Sequence, residues 1–231
     1  MEPTRLYLAN LVAALLVILL AGLLARRRYR LCRSFVVYVA LVLAGDRLIV
    51  TWPETFDVAS FWLLKESIYW GLKLAITTEI GLLTFARLPR ARRILALLIA
   101  VLALAAIAAQ LAPAPALAGD VIPWLSAVSP RGQVSILVVM AAVLALAAYY
   151  RVPLHPFHRS ILVGLSLYLV AYTGALTLLR ESGASGYRTF LALDPAAYAA
   201  TVGAWAWAAW RRAPAPSPGA RVLQPWATSS W

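Results

Sequence analysis

Seven apolar blocks, each about as long as a bilayer is thick, alternate along this chain with short runs of arginine. A helix needs about 20 apolar residues to cross the roughly 30 Å hydrocarbon core. The chain is therefore expected to be all-α: a polytopic seven-transmembrane-helix bundle with spans at 6–25, 34–50, 59–86, 94–112, 133–150, 160–179 and 195–210. The seventh span is expected to start from Asp194 as an N-cap with Pro195 at the first helical position. Of the 231 residues, 63% are hydrophobic and only 13% charged. That charged share is about half that of a soluble domain, so no sizeable soluble domain is expected.

The placement of charge gives a direction. Arg26, Arg27, Arg28, Arg30, Arg33, Arg87, Arg90, Arg92, Arg93, Arg151, Arg159, Arg211, Arg212 and Arg221 fall on one side of the alternating spans, with no acid among them. The opposite side holds Arg5, Arg131, Arg180 and Arg188 with Glu2, Glu54, Asp57, Asp120, Glu181 and Asp194. Cytoplasmic loops carry the basic excess. The N-terminus is thus expected outside and the C-terminus in the cytoplasm of a bacterial cell, in its cytoplasmic (inner) membrane. The preference for arginine over lysine suits a high-GC genome.

The net charge of +12 is spent on orientation, which argues against nucleic acid as a partner. Expected partners are the bilayer itself, with anionic lipids at the cytoplasmic face, and other membrane subunits or a cytoplasmic protein engaging the arginine-rich loops and tail. Residues 1–212 form the membrane domain. The tail 213–231 contains Pro214, Pro216, Pro218 and Gly219 and is expected to be flexible and cytoplasmic, since it lacks the apolar residues for a core. The first block is expected to stay in place, because Arg5 precedes it and five arginines follow it, the reverse of a cleavable signal.

The third span departs from the apolar pattern. It carries Lys65, Glu66, Lys73 and Glu79, and ionisable groups at hydrocarbon depth mark a functional site or a polar staple between helices. At about 100° per residue, Trp62, Glu66, Tyr69, Lys73 and Thr77 share one stripe, while Lys65, Leu72, Ile76 and Glu79 share another. Charges on two faces call for a central helix with neighbours on most sides. Glu66 and Lys73 stand about 10 Å apart along the axis, too far to pair directly. Asp46 and Arg47 on the second span are candidate partners for Lys65 and Glu66. The candidate ligand or ion pocket is therefore Lys73, Glu79, Glu66, Tyr69, Thr77, Asp46 and Lys65, with Lys73 the most diagnostic. Ser166, Tyr168, Tyr172, Thr173 and Thr177 of the sixth span either line the same cavity or make ordinary interhelical hydrogen bonds.

Other chemistry finds little support. The two histidines, His155 and His158, sit in an expected cytoplasmic loop as solvated residues, which argues against a haem or a buried zinc site. No base lies at depth for a hydrolase, and no glycine-rich phosphate loop occurs. No cofactor is expected. Cys32 is the only cysteine and cannot form an intrachain disulfide. Trp52, Trp62, Trp205, Trp207 and Trp210 lie near span ends, where indoles favour the headgroup region. The loop 113–132, with Trp124, is expected on the outer interface as a partial helix.

Seven spans with the N-terminus outside match microbial rhodopsins and G-protein-coupled receptors in count and direction only. The last span has no lysine for a retinal, and Phe85-Ala86-Arg87 is not the receptors' acidic-Arg-aromatic triplet. Arg33-Ser34-Phe35 through Tyr38, the stretch Phe61 to Glu79, and the Arg87–Arg93 run resemble a group of small, uncharacterised bacterial seven-span membrane proteins. That resemblance implies a location and no activity. The function expected is non-enzymatic: a small-ligand sensor or an accessory subunit of a membrane complex. The alternative is a transporter or proton/ion pathway using Lys73 and Glu79 as relay groups.

Overall fold

A computed structural model describes the backbone of residues 3–86, 88–111 and 121–211; side chains are described there except at 3–5, 59, 102–103, 105–111, 121–132 and 179–192. The described residues are helical, without strands. In order they form α1 (Pro3–Ala25), a 3-10 turn (Arg28–Arg30), α2 (Arg33–Thr51), the short α3 (Pro53–Phe56), α4 (Ala59–Thr84), α5 (Pro89–Leu111), α6 (Val121–Tyr149) and α7 (Pro156–Trp210). Proline opens α1, α3, α5 and α7, the position where its missing N–H costs nothing. Three stretches are long and apolar enough to cross a bilayer: Leu6–Ala25, Arg33–Thr51 and Pro156–Leu178. Gln133–Tyr149 is apolar and shorter.

Helix α7 is not a straight rod. Its 55 residues would extend about 80 Å at 1.5 Å each. Yet Trp205 Nε1 donates to the Ser160 carbonyl at 3.1 Å, and the Tyr168 hydroxyl donates to Asp194 Oδ1 at 3.1 Å. The chain therefore doubles back between Tyr168 and Asp194, and the two arms run antiparallel. This corrects one expectation: Asp194 does not cap a new helix. The helix is continuous through it, Pro195 lies inside, and the Asp194 side chain is turned to the other arm.

The arms approach closely because of Gly164. A Cβ there would stand 2.4 Å from Trp205 Nε1, so only glycine leaves room for the indole. Trp205 is fully buried and edge-on to Phe35 at 5.1 Å. It is a core residue, not the headgroup anchor its position near a span end suggested. Trp52 and Trp207 are exposed. Helix α1 lies along α7, with Val12, Leu16, Leu19 and Leu23 turned inward. Its other face exposes Leu11, Val17, Ile18 and Leu24, and α5 likewise exposes Leu97, Val101 and Leu104. Apolar stripes of this extent on the outside suit lipid rather than water.

Helix α4 packs against α2, α5 and α6, and side chains of α7 reach it as well. The expectation of a central third helix is met on those sides, although Leu64, Ser67, Ile68 and Gly71 face outward. Helix α6 begins at Val121 rather than near Gln133, so part of the expected fourth loop is helix. Residues 113–120, the Trp124 side chain and the tail 213–231 lie outside the described residues.

The basic segments gather at one end. The Arg28 guanidinium donates to the Arg211 carbonyl and lies 5.2 Å from the Phe157 ring. His158 Nε2 is 3.0 Å from the Leu31 carbonyl. The opposite end holds Arg47, bonded to Asn10 Oδ1 and the Ala9 carbonyl, each at 2.9 Å, and Trp62 bonded to Asp57 at 2.8 Å.

Candidate functional site

Two lysines on α4 have opposite surroundings. Lys65, 8% exposed, pairs with Asp46 at 3.0 Å and lies 4.1 Å from the Trp62 ring centre and 5.6 Å from that of Tyr69. It is satisfied by one carboxylate and two aromatic faces, and it gains the Asp46 partner expected for it. Arg47 goes instead to α1, and Glu66 forms no ion pair among the described residues.

Lys73 is 3% exposed. Its ammonium stands 5.8 Å from the centre of the Tyr168 ring, at the far end of the range in which a cation gains from an aromatic face. Among the described residues no carboxylate lies within ion-pair distance of it. Glu66 and Asp194 act on it only from farther away. Asp194 is itself engaged by the Tyr168 hydroxyl.

Around this pair lies a wall of phenols from three helices. The Tyr168 ring lies tilted against Tyr198 at 5.0 Å and against Tyr172 at 5.9 Å. Tyr38 of α2 is edge-on to Tyr69 at 5.9 Å. The Tyr69 hydroxyl donates to the Leu41 carbonyl at 3.3 Å. The Tyr198 hydroxyl lies beside that of Tyr38 without completing a well-formed hydrogen bond. Thr77, fully buried, donates its hydroxyl to the Lys73 carbonyl at 2.8 Å.

Two further polar groups lack partners among the described residues: both amide atoms of the fully buried Gln133, and the Thr173 hydroxyl. Their placement follows from register. Ser166 Oγ meets Met140 Sδ at 3.5 Å between α6 and the first arm of α7. Gln133 lies seven residues before Met140 and Thr173 seven after Ser166. Seven residues are close to two helical turns, so register puts Gln133 and Thr173 at about the same level of the two helices. Buried polar atoms left unmatched are uncommon.

Glu79 is elsewhere. Its Oε1 accepts from the Arg33 N–H and its Oε2 from the Ser34 N–H, each at 2.9 Å, and the Cys32 thiol lies 3.4 Å from Oε2. A carboxylate here satisfies orphan donors at the positive end of α2. Burial and the neighbouring Glu79 charge push the Cys32 thiol pKa up, which keeps it protonated and unreactive. The structure thus brings Lys73, Tyr69, Glu66, Asp46 and Lys65 into one region and separates Glu79 from them.

The histidines are a second correction. His158 is 7% exposed and hydrogen-bonded to Leu31, and His155 Nδ1 accepts from the Phe157 N–H at 3.2 Å as the cap of α7. Both are built into a helix end rather than solvated in a loop. Burial, then His158 and Arg28, lower the pKa of His155 to about 4.

Sequence reading named Lys73 and Tyr69 and listed Tyr168 as a candidate liner. It missed Asp194, Tyr38, Tyr198 and Gln133. Asp194 beside a proline carries the signal of a helix start, and only the folding-back of α7 turns it inward. Fold and site together define a helical, membrane-type bundle with a buried aromatic and cationic centre. No family model, curated protein or solved structure matches the chain.

Proposed function

We propose that this chain is a non-enzymatic protein of a bacterial cytoplasmic membrane, crossing seven times with its N-terminus outside, and that Lys73 anchors a site for a small anionic ligand. The two arms of α7 serve as the sixth and seventh crossings. The observation that carries this reading is the contrast between the lysines. Lys65 has a carboxylate in direct contact; Lys73, more deeply buried, has none among the described residues. An ammonium at such depth is expensive, and a ligand carboxylate or other compact anion would complement it. The phenols around it supply apolar walls with polar tips. With the basic end available to a partner, ligand occupancy would be sensed through the loops or through an accompanying subunit.

The test is thermal unfolding of the purified chain with a panel of small carboxylates, since a ligand that binds only the folded state raises the midpoint. At least one is expected to stabilise the natural protein and to leave Lys73→Met unmoved while that variant stays folded. If Lys73→Met yields no folded protein, Lys73 is a packing staple and the reading is overturned.

A proton or ion pathway is the second reading, favoured by Lys73 lying over the Tyr168 ring, whose hydroxyl bonds Asp194. It requires that Lys73→Met or Asp194→Asn abolish flux in reconstituted vesicles. Glu79→Gln would then change stability rather than flux, because that carboxylate is committed to α2.

A further inference from the structure

One face of α4 borders an open groove of about 720 Å³ between α2 and α5. Gly71, Leu74, Ala75, Thr78 and Leu82 form its floor, spaced as one helical stripe. A Cβ added at Gly71 would meet no atom within 4 Å, so the groove is open at that level. Its other end is basic. Arg33 lines it. Arg92, exposed on α5, precedes the groove residue Ile99 by seven positions and so shares its face nearer the basic end. The one acid lining the groove, Glu79, has both oxygens on α2 backbone N–H groups and makes no ion pair with an arginine among the described residues; two guanidinium groups against this one carboxylate leave that end net positive.

The length is informative. From Gly71 to Leu82 is about 16 Å at 1.5 Å per residue, close to half of the roughly 30 Å hydrocarbon core. The groove thus runs from the arginine level to about the middle of a bilayer, the depth of one leaflet. We propose that it holds one acyl chain of an anionic glycerophospholipid from the cytoplasmic leaflet, with the headgroup phosphate between Arg33 and Arg92. The chain would lie on the Gly71–Leu82 stripe, and the phosphate would take the charge-assisted hydrogen bonds that guanidinium groups form well. The site is separate from Lys73 and independent of its role, and it rests on the membrane orientation proposed above.

The experiment uses the full chain in neutral detergent, titrated with phosphatidylglycerol or phosphatidylcholine of the same acyl chains and read by native mass spectrometry and by thermal midpoint. Phosphatidylglycerol is expected to add as one tightly retained molecule, to raise the midpoint and to outcompete phosphatidylcholine. Arg33→Gln and Arg92→Gln should each weaken it about fivefold, the worth of one basic residue at an anionic surface. Gly71→Leu, which enters open space and so threatens no packing, should remove the tight site for both lipids. Inorganic phosphate should give no shift, since the acyl chain is part of the site. Equal retention of both lipids, or retention unchanged by Gly71→Leu, overturns the proposal. So does a Gly71→Cys variant (in a Cys32→Ser background) that forms disulfide-linked dimers in membranes, because a second polypeptide would then occupy the groove.

Discussion

Two substitutions, Asp46→Asn and Lys73→Met, separate two kinds of buried charge on α4. Asp46→Asn strands Lys65, which is 8% exposed, without its carboxylate. Leaving a partly buried charged group unmatched costs about 1–3 kcal/mol, so the variant should unfold at lower temperature in the same detergent. Lys73→Met removes an ammonium that has no contact ion pair among the described residues. Its midpoint without ligand should hold or rise, since an apolar side chain of similar length replaces a poorly matched charge. Equal destabilisation of the two variants would show that Lys73 is held as firmly by distant Glu66 and Asp194 as Lys65 is by Asp46. At this scale the sequence carried a good part of the site. A lysine amid apolar residues is conspicuous because its desolvation is so unfavourable, and the partner of Lys65 followed from placing Asp46 at the same depth. What was not legible is which acids make contact. Glu66, Lys73 and Glu79 all lie on α4, but only tertiary packing sends Glu79 to the α2 backbone.

The helix ends at the basic pole govern the response to acid. His155 caps α7 and faces His158 of its own helix and Arg28 of the 3-10 turn. Its pKa in the folded protein, about 4, lies below the roughly 6.5 of an unfolded histidine. The folded state therefore binds fewer protons than the unfolded state between these values. Stability from this group is full above about pH 6.5 and is lost as pH falls toward 4. The thermal midpoint of the natural protein should decline over that window, and His155→Asn, which keeps a capping acceptor without the titration, should flatten the decline. An unchanged slope in that variant would assign the acid sensitivity elsewhere. Element boundaries were read well for α2 and α4, where arginine or proline punctuates an apolar run. They failed at Asp194-Pro195, where α7 runs through without a new start; the helix from Val121 falls within the stretch expected as a partial helix and joins the expected fifth span without a break.

For the whole molecule, orientation is testable with the chain's single cysteine removed. In Cys32→Ser, a cysteine at Glu54 should react with a membrane-impermeant maleimide added to intact cells, and one at Arg90 only after permeabilisation; both positions are exposed. The reverse pattern would invert the assignment of the basic pole. All-helical architecture was legible because it follows from the cost of leaving backbone polar groups and charges in hydrocarbon, and Arg28 and Arg211, expected on one side, do meet at one end. The doubling-back of α7 and the phenol-lined centre were not, since they arise from contacts between residues 26 or more positions apart, such as Tyr168 with Asp194. The most direct test of the proposed site is a density map of the protein isolated from its own membranes. Expected is a small non-protein feature bearing an anionic group against Lys73 Nζ, bordered by Tyr168. A carboxylate of Glu66 or Asp194 in direct contact with Nζ, or the amine open to bulk water or acyl chains, would contradict it.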